Sequence, residues 1–158
     1  CSAHPKHINK RILHMLKKSG CIQIAIAIES GNDFIRKEVF GKYIEKDEIL
    51  NAVRAIKSFK LTTICWILIG APYESEETIK DTIKFLRKVH PDYIFTSVFR
   101  PFPGTELFDL CSARGWISNR VVKSINDPEY ILDQPSISRE RIIWYYNNYF
   151  QPRRRYYP

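Results

Sequence analysis

The stretch that most constrains how this chain can fold is CWILIGAPYESEET, Cys65 to Thr78. Cys65 to Ile69 is a short apolar run with the length and composition of a buried strand, and it breaks at Gly70-Ala71-Pro72. Glu74 follows as an isolated carboxylate. Ser75 then begins a helix, with Glu76 and Glu77 in its first turn at the positive end of the helix dipole. Strand, glycine–proline turn, carboxylate and helix, in that order, put backbone amides and one acidic group at the carboxyl end of a strand. In α/β proteins that edge is where ligands are held.

The rest of the chain repeats the unit. Residues 8–19 place Ile8, Ile12, Leu13 and Leu16 on one helical face, with Asn9 as cap and Gly20 as stop. Cys21 to Ile28 is apolar on both alternating faces, the pattern of a strand covered on two sides, and ends at Glu29-Ser30-Gly31-Asn32-Asp33. A helix from about Lys46 to Phe59 carries Ile49, Val53, Ile56 and Phe59 as its inner stripe, and Leu61 to Ile69 forms the second strand. The helix from Ser75 buries Ile79, Ile83, Leu86 and Val89 until His90-Pro91-Asp92 breaks it. Tyr93 to Phe99 is the third strand and runs into Arg100-Pro101-Phe102-Pro103-Gly104-Thr105, then a helix to about Arg114. Such alternation predicts an α/β fold of parallel strands with right-handed crossovers. Past Trp116 the rhythm is lost: Val121 to Gln134 reads as a surface connection, and Ser138 caps a last helix with Ile142, Ile143, Tyr146 and Phe150 on one side. The division is strand–helix units over 1–117, an irregular connection over 118–137, and a helix with a basic tail over 138–158.

Parallel strands present their carboxyl ends on one side, so Glu29, the Gly70 to Glu74 turn and the Arg100 to Thr105 loop face one cleft. The Glu29 carboxylate leaves its strand at the rim, suited to hydroxyls or an ammonium group, or to capping the loop after it. Gly70 lets a flat ligand lie against backbone without a Cβ in the way, and Pro72 stiffens the turn. Glu74 is placed to receive turn amides as a helix N-terminal charge, or a ligand donor. Pro101, Pro103 and Gly104 fix a third loop whose amides meet polar ligand edges or simply form a turn.

Composition bounds the partners. Of the formal charge of +8, half lies in residues 139–158, where five arginines face one glutamate. That tail reads as a solvated end or linker, or as a contact for RNA or an acidic protein through RRRYYP. Cys1, Cys21, Cys65 and Cys111 have no metal-ligand spacing and read as reduced thiols of a cytoplasmic protein. Cys1, His4 and His7 form only a weak metal pattern. No apolar run approaches the roughly 20 residues that span a bilayer, and no Ser–His–Asp set, HExxH or P-loop points to hydrolytic or phosphate chemistry. The first residue is Cys1 rather than methionine, so the chain reads as part of something longer.

IAIESGND, ILIGAPYESEET and FRPFPGTEL, in this order and at these separations over about Cys1 to Trp116, resemble the later part of radical S-adenosylmethionine enzymes. The resemblance is to the branch that often carries a cobalamin-binding domain ahead of the barrel. It implies an incomplete (βα)6 TIM-like barrel of which these segments are the fourth, fifth and sixth strands. Glu29 and Ser30, with Gly31 beside them, would contact the methionyl or ribose part of S-adenosylmethionine. Ile69, Gly70 and Pro72, with Glu74 at the turn, would line the adenine, and Arg100, Pro101, Pro103 and Gly104 would close the site. The CxxxCxxC motif that holds the family's 4Fe–4S cluster is absent here, as is its glycine-rich segment after the second strand. Ala27 and His4 stand where the family often has glycine and arginine. The resemblance therefore implies half of a cofactor site, completed by an N-terminal half barrel. Catalytic residues and metal ligands are expected in that other half, and the open sheet edge is expected to make the chain self-associate or pack loosely.

Overall fold

The computed structural model describes residues 1–120 and 129–150. Three parallel strands, β1 (Gln23–Glu29), β2 (Thr62–Ile69) and β3 (Tyr93–Val98), lie in the order β1-β2-β3. Helix α1 (Lys10–Lys18) precedes them, α2 (Lys46–Ser58) and α3 (Glu76–Val89) connect them, and α4 (Glu106–Ala113) and α5 (Arg139–Tyr145) follow. Each start has a local cause. Asn9, Ser75, Thr105 and Ser138 accept from backbone amides three residues on, and Glu48 reaches back to the amide of Glu45 ahead of α2.

Side-chain alternation along β2 decides which face is core. Thr63, Cys65, Ile67 and Ile69 are buried, while Trp66 is exposed and Thr62, Ile64 and Leu68 are half-buried. The buried face joins Ile24, Ile26, Ile28 and Ile94 to the inward stripes of α2 (Ile49, Val53, Ile56) and α3 (Ile79, Ile83, Leu86) in one cluster. On the opposite face Trp66 and Phe95 stand side by side, ring centroids 5.6 Å apart, and both are open to solvent. Two covered faces, expected from the apolar pattern of β1, thus reduce to one, because the helices among the described residues pack on a single side. The outer edge of β1 is partly closed: Ala25 bridges Ser2 in parallel fashion, donating to Cys1 O and accepting from Ala3 N–H. On α1 only Leu13 is buried, and Ile12, expected inside, is exposed.

The stretch expected to be a surface connection is partly interior. Tyr130 and Leu132 are fully buried, with Gln134 and Ile137 nearly so. Ile117 pairs with Leu132 across an antiparallel bridge. Ser118 N–H donates to Ile131 O at 2.9 Å, and Asp133 N–H to Trp116 O at 2.7 Å. Helix α5 then loosens into a π turn, Tyr146–Phe150, which seats Phe150 in the core. Residues 121–128 and the arginine-rich 151–158 lie outside the described residues. Arg139 and Arg141, counted with the tail on sequence grounds, are held in place by bidentate pairs to Glu129 and Glu76.

Candidate functional site

The parallel order brings the three strand ends to one edge. At the end of β1 the register slips: Ala27 pairs with Trp66 but Glu29 pairs with Ile67, leaving one extra residue in β1. A bulge of this kind re-aims a side chain, and Glu29 takes a left-handed φ of 63°, unusual for a residue with a Cβ. Its Oε1 accepts from Lys42 Nζ at 2.8 Å, and the same ammonium donates to Ala27 O at 2.9 Å. Lys42, Ala27, Trp66 and His4 line an open pocket of about 320 Å³ on the bare face of the sheet. Burial and the charges of His7, Lys42 and Lys6 lower the pKa of His4, so the pocket's cationic side is carried by Lys42.

Behind Glu29 the loop is fastened to α3. Ser30 is fully buried, its Oγ 3.1 Å from Thr82 Oγ1, and it accepts from the Asn32 N–H at 3.1 Å. Gly31 N–H donates to Thr82 Oγ1 at 3.0 Å. A Cβ on Gly31 would come within 2.7 Å of both Phe85 Cβ and Thr82 Cα, so only glycine permits this approach. Arg36, also fully buried, donates to Ser30 O at 3.2 Å, to Ile44 O at 3.0 Å and to Asp33 Oδ1 at 2.5 Å. Nothing in the local pattern around Arg36 signals a buried guanidinium, and only its contacts from three directions reveal it.

At the end of β2, Glu74 is fully buried and its Oε2 accepts from the amides of Gly70 and Ala71. Among the described residues its Oε1 has no partner. The two bonds to Oε2 make Glu74 a scaffold of the turn, and burial pushes its carboxyl up to about 8 against the pull of the amides. Gly70 has a φ of 83°, and a Cβ there would lie 2.7 Å from the Tyr130 ring. The flat group resting on this backbone is therefore the chain's own tyrosine. Gln134 completes the fastening: its Nε2 donates to Ala71 O at 2.8 Å and to Tyr130 Oη at 2.6 Å, and its Oε1 accepts from Tyr73 N–H at 2.7 Å. Ser136 Oγ adds a bond to Glu74 O at 2.8 Å. Neither Tyr130 nor Gln134 stands out in the sequence, where the only signal is an isolated aromatic in a polar stretch.

At the end of β3, Phe99 N–H donates to Ile69 O at 2.7 Å, which ties the third loop to the second turn. Ile69, Pro72 and Pro101 are buried, Arg100 is half-buried, and Phe102, Pro103 and Gly104 are exposed. The structure thus brings Glu29, the Gly70 to Glu74 turn and the Arg100 to Thr105 loop to one edge. The side chains of Ser30 and Glu74 have partners within the chain. Among the described residues no three His, Cys, Asp or Glu side chains are grouped as a metal would require, and the residues present do not fit an iron–sulfur cluster. No helix among them is long and apolar enough to cross a membrane.

A family model described as the Radical SAM superfamily matches residues 1–86. The chain is 30% identical over 134 residues to an uncharacterized methyltransferase of Pyrococcus horikoshii, covering 85% of this chain and 28% of that protein. It is 28% identical over 115 residues to a tRNA-2-methylthio-N(6)-dimethylallyladenosine synthase of Clostridium tetani, covering 69% and 25%. The chain therefore spans only about a quarter of the length of these relatives. Among solved structures, coproporphyrinogen III oxidase from Escherichia coli, a radical SAM enzyme, superposes with a TM-score of 0.63 at 14% identity, over 92% of this chain and 31% of that one. The radical S-adenosylmethionine methyltransferase TsrM from Kitasatospora setae, solved with cobalamin and an iron–sulfur cluster, gives 0.61 at 18% identity, over 75% and 24%. The three parallel strands with their helices match part of the TIM-like barrel of these enzymes.

Proposed function

The chain belongs to the Radical SAM superfamily, and from that premise we propose that it is the C-terminal half of a catalytic barrel, lending S-adenosylmethionine-binding strand ends to a longer parent enzyme. The observation that carries the reading is the Glu29–Lys42 pair, at 2.8 Å, beside the open pocket on the bare sheet face. The methionyl end of S-adenosylmethionine bears one ammonium and one carboxylate, and this pair offers a complement to each. Ile69, Gly70 and Pro72 are buried, with Tyr130 packed on Gly70, so they would support the adenine side of the site from beneath. Arg100, Pro101, Pro103 and Gly104 border the same edge, while Ser30, Gly31 and Glu74 hold the two turns in shape. When bound and reduced by the cluster, the cofactor supplies the radical that starts chemistry on a substrate.

The 4Fe–4S cluster is assigned to the N-terminal half barrel, which would also cover Trp66 and Phe95. The motif order supports the cobalamin-associated branch, with cobalamin held by a domain ahead of the barrel. The names of the two relatives support methyl or methylthio transfer as the class of reaction. The test is equilibrium binding of S-adenosylmethionine to the parent protein and to its Glu29→Gln and Lys42→Ala variants. A loss of one charge-assisted contact, on the order of tenfold in affinity, is expected from each. Unchanged affinity in both variants overturns the assignment.

A further inference from the structure

Helices α3 and α5 border a groove of about 330 Å³. Its floor and walls combine two features that the cofactor site does not use. Lys80, Lys84 and Arg87 stand at i, i+4 and i+7 along α3, a spacing that puts them on one helical face. Opposite them, Trp144, Tyr145 and Tyr149 form an aromatic cluster with centroids 5.0 to 5.9 Å apart. Trp144 and Tyr149 remain 41% and 42% exposed.

The aromatic wall is braced. Arg141 makes a bidentate pair with Glu76, at 2.6 and 2.9 Å, and stacks over Trp144 and Tyr145 at 4.6 and 5.2 Å. Tyr145 Oη donates to Glu76 at 3.0 Å. The Arg141 guanidinium holds the Glu76 carboxyl down at about 2, so Glu76 stays charged and cancels Arg141. What is left to attract a ligand is the α3 row. Lys80 and Lys84 make only loose exposed pairs, at 3.6 Å to Glu76 and 3.9 Å to Asp81, and Arg87 has no ion-pair partner among the described residues.

We infer that this groove binds single-stranded nucleic acid, with phosphates along Lys80, Lys84 and Arg87 and bases stacked on Trp144 and Tyr149. The row is about 10 Å long. Cations beside exposed rings are the pairing that sequence-tolerant single-strand binders use. An acidic peptide would engage the cations alone and leave the rings idle. This site is separate from the cofactor edge, and it differs from the arginine-rich tail, which carries its charge at Arg153, Arg154 and Arg155.

The test is fluorescence anisotropy of a labelled eight-nucleotide adenine oligomer, as RNA and as DNA, against the full chain at several salt concentrations. Trp144→Ala and Tyr149→Ala are each expected to weaken binding on the order of tenfold with the salt dependence unchanged. Tyr149→Ala keeps the experiment readable if Trp144→Ala disturbs α5. Replacing Lys80, Lys84 and Arg87 together by alanine is expected to lower the slope of log affinity against log salt by about two. Three outcomes overturn the inference. The variants bind like the parent, or the loss follows only from Arg153, Arg154 and Arg155 changed to serine. The third is a poly-glutamate peptide binding with the same dependence on Trp144.

Discussion

On one face of the sheet Ile24, Ile67 and Ile94 are at most 3% exposed and pack with the stripes of α2 and α3, whereas on the other Trp66, Tyr93 and Phe95 keep 37% to 47% of their surface open. The strands are the same and only the coverage differs. The covered face is aliphatic and branched, as a face packed by helices of the same chain should be. The bare face holds rings and small residues around the pocket formed by Ala27, Trp66 and Lys42. An exposed apolar patch of this kind marks an interaction surface. What stabilises this chain and what it leaves open are thus on opposite sides of one sheet.

Along β2 the two faces alternate residue by residue. Ile67→Ala removes buried methyl groups from the helix-covered side and is expected to cost about 2–5 kcal/mol. Trp66→Ala, one residue away on the bare side, is expected to cost less than about 1 kcal/mol. Urea unfolding of the two variants reads the difference, and equal losses would mean that both faces are core.

A second contrast separates the fastened strand-end turn from an open one. Gly70 and Gly20 have nearly the same left-handed φ, 83° and 84°, but only at Gly70 does a Cβ meet the Tyr130 ring. Gly20→Ala should therefore lose about 1 kcal/mol for the conformation alone. Gly70→Ala should lose about 1–3 kcal/mol more for the overlap. If the two midpoints shift alike, Tyr130 is not the group that holds the turn.

Glu74 and Glu76, two residues apart, respond to pH in opposite directions. Burial raises Glu74 from 4.5 to about 8, so its protonated form favours the fold. That contribution is complete below about pH 4.5 and is lost as pH rises through 8, with a slope of at most about 1.4 kcal/mol per pH unit. Arg141 lowers Glu76 to about 2, so its smaller contribution is present above 4.5 and is lost as pH falls through 2. Thermal unfolding of Glu74→Gln between pH 5 and 9 should show a flatter profile than the parent. An unchanged profile would put Glu74 in its ordinary range. The smallest change in stability is expected from Trp66→Ser combined with Phe95→Ser. That variant should melt like the parent yet self-associate less in sedimentation velocity, and unchanged association would mean that the bare face is not the sticky one.

The parts legible in the sequence are those written locally. The strand of Cys65 to Ile69, the Gly70 to Glu74 turn and the Ser75 cap lie within eleven residues, and period, glycine and cap each have a short-range cause. Tyr130 and Gln134 reach the same turn from about 60 residues away, and neither occupies a periodic position, so no local pattern carries the contact that fastens Gly70. Arg36 was hidden for a similar reason, since its burial depends on carbonyls of Ser30 and Ile44 that converge only after folding. The apolar pattern of β1 correctly signalled a strand and overstated its cover, because a pattern records that a face is apolar and not which chain segment covers it.

We propose that these strand ends are half of an S-adenosylmethionine site completed by an N-terminal half barrel. The most direct test is to reconstitute the parent protein with iron and sulfide, reduce it anaerobically, and measure 5′-deoxyadenosine and methionine with and without residues 1–158. Cofactor cleavage that needs this segment and falls with Glu29→Gln and Lys42→Ala is the expected result. Cleavage at the same rate without the segment, or none from the reconstituted parent, would contradict the account.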